Sequence, residues 1–325
     1  MKAISVRGDK DSPLLMWADA PEPPFGPDEV LVEVRATAVN RADLSQARGN
    51  YAPPPGASDI LGLEMAGVIR EVGAGVTGWR PGDRVCALLP GGGYSEWVAV
   101  PAGMLLRLPD QWTFAQGAAV PEVWYTAYIN LFDEGQLKAG ETALIHAGAS
   151  GVGTAAIQLA VAAGARAIAT AGSEAKVAFC RKLGAIGVNY KEQDFLAEVK
   201  RETDGQGVDV ILDPVGGSYL SRNIEALRHF GRLVNIGLLG GTKGELNMGQ
   251  VLGKRLAIVG STLRGRPPAE KIAITRRFEV EVWPKLLDGR LRPVIDTTFS
   301  IADAQAAHEY VRANRNIGKV ILEVS

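Results

Sequence analysis

Hydrophobic and polar positions alternate along the first third of the chain. Residues 29–36, Glu-Val-Leu-Val-Glu-Val-Arg-Ala, and residues 66–72 carry the period-two pattern of a half-buried strand. Shorter apolar runs at 3–6, 85–89 and 94–100 have the same style, with Gly and Pro between them. Many short strands cut by turns predict a partly closed β-barrel. Two stretches break the pattern. Residues 40–47 read as a short helix, and 51–56, Tyr-Ala-Pro-Pro-Pro-Gly, as a stiff loop.

From about residue 120 the pattern changes. Apolar runs of strand length fall at 142–147, 165–171, 187–190, 208–213, 231–237 and 256–262. Helical stretches lie between them at 154–163, 173–183, 195–203 and 219–228. Six strands with helical crossovers predict a doubly wound parallel sheet, with its ligand at the carboxyl ends of the strands. Beyond about 264 come a helix over 272–287, a short piece at 293–295, a helix near 301–313 and a last strand at 319–324. This tail has few strands of its own and is expected to return to complete the first domain. The domains are thus 1–120 with 264–325, and 121–263.

The chain is organised around residues 142–159. A strand leads into Gly148, Gly151 and Gly153, and an Ala/Leu-rich helix follows. Strand, glycine turn and helix point backbone N–H groups at a pyrophosphate. A tight turn without a ligand uses the same glycines; the correct flanking elements favour a dinucleotide. Ser150 replaces the middle glycine, and its hydroxyl can donate to a phosphate. No Asp, Glu, Lys or Arg occurs from Thr142 to Ala165, a length that could span a bilayer. A buried parallel strand and its helix give the same hydropathy, and four glycines, Ser150, Gln158 and His146 interrupt the run. No membrane span is expected.

Bulk properties narrow the function. The 325 residues suit two domains, and a net charge of −1 offers no electrostatic footprint for nucleic acid or anionic membrane. Cys86 and Cys180 cannot make a disulfide framework, and the N-terminal stretch shows no secretory pattern, so a cytoplasmic setting is expected.

The end of the second strand of the parallel sheet decides between nucleotides. NAD-preferring sheets place Asp or Glu there for the ribose hydroxyls. Here Ala171 and Gly172 carry no carboxylate, and Glu174 lies further on, in the following helix. Ser173, a possible N-cap, and Lys176 are instead placed for a 2′-phosphate, which points to NADPH.

Gly62-Leu-Glu-Met-Ala-Gly-Val68, Val72-Gly-Ala-Gly-Val76, Pro81-Gly-Asp-Arg-Val85 and the segment 140–160 resemble the medium-chain dehydrogenase/reductase superfamily. Asn40-Arg-Ala-Asp43, the Tyr51-x-Pro-Pro-Pro-Gly-Ala-Ser58 loop, Leu88-Leu-Pro-Gly-Gly-Gly93 and Asn314-x-Asn-Ile-Gly-Lys319 resemble its zeta-crystallin-like quinone oxidoreductases, in particular the branch of stress-induced NADPH quinone reductases. The resemblance covers almost the whole chain. It implies an α/β protein with a GroES-like partly open β-barrel domain made from both chain ends, and an inserted Rossmann domain. Zinc-dependent members place a Cys where Asn40 stands and a His where Leu63 stands, and carry a four-cysteine lobe after Leu89. This chain has neither, so no metal is expected.

The same resemblance implies site residues. Asn40, Asp43 and Tyr51 would line the nicotinamide and substrate cleft, although helix capping and barrel packing are equally simple roles for Asn40 and Asp43. Thr126 would lie near the nicotinamide. Ser150, Gly151 and Val152 would hold the pyrophosphate, and Ser173, Lys176 and Tyr190 the adenosine phosphate end. Gly237, Leu238, Leu263 and Arg264 would pass close to the nicotinamide, and Asn316 would approach from the tail. The activity implied is NADPH-dependent reduction of a quinone by direct hydride transfer. Reduction of activated C=C bonds, such as enones or acrylates, uses the same parts. A non-enzymatic cofactor-binding or RNA-binding role is a third reading. A homodimer paired through the strand at 256–262 is also implied.

Overall fold

The computed structural model describes Met1–Val324; Ser325, the last residue of the assigned first domain, lies outside the described residues. The chain divides into two compact units, one of Met1–Tyr125 with the segment from Leu263 onward, the other of Thr126–Thr262.

The first unit opens with β1 (Lys2–Arg7) paired antiparallel to β2 (Leu14–Asp19). Its main sheet follows: β3 (Glu29–Val39), then helix α1 (Arg41–Ala47), β4 (Glu64–Val72), β5 (Arg84–Leu88), β6 (Trp97–Pro101) and β7 (Leu105–Arg107). Helices α2 (Phe114–Ala118) and α3 (Pro121–Tyr128) close this half of the chain. The strand predicted at 94–100 begins only at Trp97. Ser95 Oγ donates to the Gly92 carbonyl at 2.7 Å, and Ser95 makes only an isolated antiparallel bridge to Ala3 between bends at Tyr94 and Glu96. The sequence reading puts Pro121–Tyr125 in the second domain. They belong to the first because Trp124 and Tyr125 are buried and Tyr125 stacks on Phe278 at 4.6 Å.

The second unit is a six-stranded parallel sheet. Its elements are β8 (Thr142–Ile145), α4 (Gly151–Ala162), β9 (Arg166–Ala171), α5 (Glu174–Lys182), β10 (Ile186–Asn189), α6 (Phe195–Glu202), β11 (Val208–Asp213), α7 (Leu220–Ala226), β12 (Leu227–Asn235), α8 (Met248–Lys254) and β13 (Ala257–Gly260). The strand order is β10-β9-β8-β11-β12-β13, with every pairing parallel. Leu144, Ile168, Val188, Ile211 and Leu233, one from each of five adjacent strands, are buried in one cluster. Each contributes about 1.5–3 kcal/mol by leaving water. The chain runs from β8 outward to β10 and then crosses to β11, so the order reverses between β8 and β11. At such a reversal the loops diverge and leave a crevice at the carboxyl ends. Several boundaries differ from the sequence reading, the strand predicted at 231–237 running Leu227–Asn235 among them. α4 starts at Gly151, not 154. The helix predicted to 228 stops at Ala226, because Leu227 is buried and already pairs with Val208. α8 was not anticipated; its residues Met248 and Leu252 face solvent and leave no amphipathic pattern to read.

The tail supplies α9 (Pro268–Glu281), α10 (Trp283–Leu287), β14 (Ile295–Ser300), α11 (Ala304–Arg312) and β15 (Lys319–Glu323). The single helix predicted over 272–287 is broken at Val282, two residues before Pro284, which has no N–H to continue the ladder. β15 pairs antiparallel with β3 in the register Val320↔Val39, so the tail lies inside the first unit's sheet. That sheet runs β14-β15-β3-β4-β5-β7, with β6 also on β3.

Candidate active site

The second unit carries the glycine turn that the sequence singles out. β8 ends at Ile145, and Ala147 takes a positive φ of 53°. The Gly148 N–H then donates to Thr170 of β9 at 2.8 Å. A Cβ on Gly153 would lie 2.4 Å from the Ala147 carbonyl, so only glycine lets the first turn of α4 pack on the strand end. Ser150 is the N-cap of α4, and its Oγ accepts from the Gly153 N–H at 3.0 Å. The hydroxyl hydrogen stays available to donate. As the first residues of the helix, Gly151 and Val152 have N–H groups without an intrahelical acceptor. The predicted trio Ser150, Gly151 and Val152 is therefore brought together at the N-terminus of a 12-residue helix.

The next strand end gathers a second predicted trio. Ser173 is the N-cap of α5, but its side chain makes no capping bond. Lys176 is half-buried one turn further on. Tyr190 follows β10, and its N–H donates to Ala171 at 3.1 Å. Its hydroxyl would lie 2.6 Å from a Cβ on Gly172, so glycine there lets the ring sit over the end of β9.

The loops after β11 and β12 are tied by a buried carboxylate. Asp213 accepts from the N–H groups of Val215 (2.7 Å) and Gly216 (3.1 Å) and from Asn223 Nδ2 (3.1 Å). Asn235 Nδ2 donates to the Gly237 carbonyl at 3.0 Å, which fixes the start of the predicted Gly237–Leu238 contact. Leu238 itself is exposed. His146 is buried here, with Nε2 2.8 Å from Asn223 Oδ1 and Nδ1 3.0 Å from Thr170 Oγ1. Burial lowers its pKa, so it is a neutral packing residue. Thr126 is half-buried in α3, and its carbonyl accepts from Asn130 Nδ2 at 2.7 Å.

In the first unit, Asn40 and Asp43 meet a set of charges that sequence reasoning missed. The Asn40 N–H donates to Asp43 Oδ2 (2.7 Å) and the Gly62 N–H to Asp43 Oδ1 (3.1 Å). Asp43 is fully buried, and burial pushes its pKa up to about 6. Both its oxygens are engaged, and they hold α1 against Gly62. Asn40 Nδ2 donates to Glu64 Oε1 at 2.8 Å. Lys319 Nζ reaches both Glu64 Oε1 and Asn40 Oδ1 at 2.7 Å. Glu64 and Lys319 are buried to 0% and 3% exposure, an ion pair inside the unit. Glu64 Oε2 accepts from the Glu122 N–H at 2.9 Å. The signal for this cluster was present: Glu64 follows Leu63 in an apolar strand, and Lys319 opens the last one.

Tyr51 is half-buried in its proline-rich loop. Burial and the nearby Glu122 raise its pKa, opposed by Arg264. Arg264 is buried in this unit. It donates to the Pro90 carbonyl (2.7 Å) and Gln46 Oε1 (2.8 Å), and its guanidinium lies 5.1 Å over the Tyr51 ring. These contacts tie it to the Tyr51 loop. Leu263, buried, belongs to the same unit rather than the parallel sheet. Asn316 Nδ2 donates to Gly318 within its own turn at 2.7 Å.

The donor set does not suit zinc. Asn40 and Leu63 offer no thiolate or imidazole, His308 Nε2 lies 3.1 Å from the Tyr94 hydroxyl, and both Cys are buried. Among the described residues no group of three His, Cys, Asp or Glu is placed to hold a metal.

Known proteins share this plan. Residues 26–110 match the alcohol dehydrogenase GroES-like domain, and 151–278 the family described as zinc-binding dehydrogenase. The quinone oxidoreductase of Rattus norvegicus is 31% identical over 95% of this chain and 93% of its own length. The chain belongs to the medium-chain dehydrogenase/reductase superfamily. Quinone oxidoreductases are among its relatives. A mycocerosic acid synthase-like polyketide synthase of Mycobacterium tuberculosis is 34% identical over 99% of this chain, which spans only 15% of that protein's length. Among solved structures, the Escherichia coli quinone oxidoreductase complexed with NADPH has a TM-score of 0.86 at 29% identity, covering 99% of this chain and 100% of that one. The CurK enoyl reductase has a TM-score of 0.87 at 29% identity, covering 100% and 99%. Among the described residues no helix is long and apolar enough to cross a membrane.

Proposed function

We propose that this medium-chain oxidoreductase uses NADPH to reduce a quinone by direct hydride transfer without a metal. The observation that carries the reading is the closed Asn40–Glu64–Lys319 cluster: Asn40, where zinc-dependent members place a thiolate, offers only an amide, and that amide is bound to Glu64 and Lys319. With no Lewis acid, the acceptor must already be electron-poor, and positioning accounts for most of the acceleration. NADPH, when bound, supplies the hydride. Ser150, Gly151 and Val152 would hold its pyrophosphate. Ser173, Lys176 and Tyr190 would hold the adenosine phosphate, and the fixed Gly237 loop and Thr126 would approach the nicotinamide. Tyr51 would offer its hydroxyl to the acceptor oxygen.

The absence of a carboxylate at Ala171 and Gly172 supports NADPH over NADH. Lys176→Ala should weaken NADPH binding about ten- to hundredfold, the loss of one charge-assisted contact of about 1.5–3 kcal/mol. NADH binding should stay unchanged. Calorimetric titration checks this, and an equal loss for both nucleotides would refute the assignment.

The second reading, reduction of an activated C=C bond, is favoured by the likeness to the CurK enoyl reductase. kcat/KM measured with NADPH for an ortho-quinone and an enone separates the two; a higher value for the enone would replace quinone by enone in the proposal. A homodimer is proposed through β13, an edge strand of the parallel sheet with Ile258 exposed. Light scattering that finds only monomer at all concentrations would reject it.

A further inference from the structure

One side chain of the first unit has a chemistry that its neighbours do not consume. Glu122 lies in the first turn of α3, and its N–H donates to Glu64 Oε2. Its Oε2 is buried and has no hydrogen-bond partner among the described residues. A buried ionised oxygen left unpaired costs several kcal/mol, whereas a neutral carboxyl avoids most of that cost. The groups around it come from every packed element. Glu64 on β4 and Asp43 on α1 disfavour its charge, and Lys319 on β15 and Arg264 favour it. Lys271 on α9 and the Tyr51 hydroxyl also feel it. Burial and then Glu64 outweigh the cations and raise its pKa to about 8. Near neutral pH it is a carboxylic acid holding a proton.

Resting on the reductase reading above, we propose that Glu122 is the proton donor of the reaction: its half-buried carboxyl, with Oε2 unpartnered and set between Glu64 and the Lys319 and Arg264 cations, protonates the oxygen of the reduced acceptor. The hydride brings two electrons to the acceptor and leaves it an anion. The O–H bond of the Glu122 carboxyl then breaks, and a new O–H bond forms on the acceptor. The electron pair stays on the Glu122 carboxylate, which Lys319 and Arg264 steady. Water restores the proton after product leaves. Tyr51, beside Glu122 and Arg264, orients the acceptor oxygen.

The test combines a spectroscopic and a kinetic readout. Infrared difference titration of the wild-type protein should show a protonated-carboxyl C=O band that titrates near pH 8 and is missing in E122Q. With NADPH and an ortho-quinone, wild-type kcat/KM should fall as pH rises through the same value, since the donor is then ionised. E122Q should lose that alkaline limb and about a hundredfold in kcat while NADPH affinity is unchanged. The wild-type titration and pH profile stand even if E122Q folds poorly. A band titrating in the ordinary carboxylate range, or an E122Q enzyme that keeps both kcat and the alkaline limb, would overturn the role of Glu122. A wild-type protein that turns over neither quinone nor enone would overturn the reductase reading itself.

Discussion

Lys319→Ala should destabilise the protein by about 3–5 kcal/mol, the range for breaking a buried ion pair from one side. The reason lies in what is left behind. Glu64 is fully buried, and its Oε1 would lose the ammonium at 2.7 Å while keeping only the Asn40 amide. Asn40 Oδ1 would lose its donor as well. The damage spreads because β15 carries Lys319 and pairs with β3, the strand that ends beside Asn40. Urea unfolding of the two proteins measures the difference. A double variant, Lys319→Met with Glu64→Gln, removes both charges and should recover much of the loss. A single variant within about 1 kcal/mol of wild type, the scale of an exposed pair, would show that the pair is solvated.

The second large effect concerns the glycine turn. Gly153→Val should abolish most NADPH binding. Any Cβ there meets the Ala147 carbonyl at 2.4 Å and the Gly148 backbone at 2.7 Å, and neither is a flexible side-chain end that could yield. The first turn of α4 must move off β8, carrying the N–H groups of Gly151 and Val152 with it. Losing even one charge-assisted backbone contact to a pyrophosphate, at about 1.5–3 kcal/mol, gives a tenfold to hundredfold weaker complex. Titration calorimetry with NADPH reads this directly. Gly140→Ala is the control for a glycine whose Cβ meets nothing within 4 Å, although its φ of 82° still strains the turn; it should alter stability and leave NADPH affinity intact. Equal affinities for wild type and Gly153→Val would refute the phosphate role of the turn.

Much of the fold was legible because it rests on local period. β3, β4 and β11 announce themselves by alternation or by an apolar run of strand length, and the glycine turn by spacing. What was missed follows a pattern too. β14 reads Ile-Asp-Thr-Thr-Phe-Ser, a sheet-edge strand that is only partly buried, so no run of apolar residues marks it. β2 buries only Leu15 fully, and its position depends on pairing with β1. The break at Val282 comes from Pro284, which the helical pattern masked.

The site was legible in its positions but not in its division of labour. The family resemblance implies that Asn40, Asp43 and Tyr51 line the cleft. It cannot show that Asp43 has both oxygens bonded, since Gly62 and Tyr94 are distant in sequence. Nor does local pattern join Glu64 to Lys319, 255 residues apart. No local pattern marks Glu122; burial and the neighbouring Glu64, which raise its pKa, are set by tertiary structure.

The account centres on NADPH delivering a hydride to an electron-poor acceptor with no metal ion. The most direct measurement is anaerobic NADPH oxidation by an ortho-quinone, followed by the loss of the reduced nicotinamide's absorbance, with protein exhaustively treated with chelator. The account predicts one NADPH consumed per quinone reduced, at a rate unchanged by chelation and not raised by added zinc. Activity that disappears on chelation and returns with zinc would contradict it.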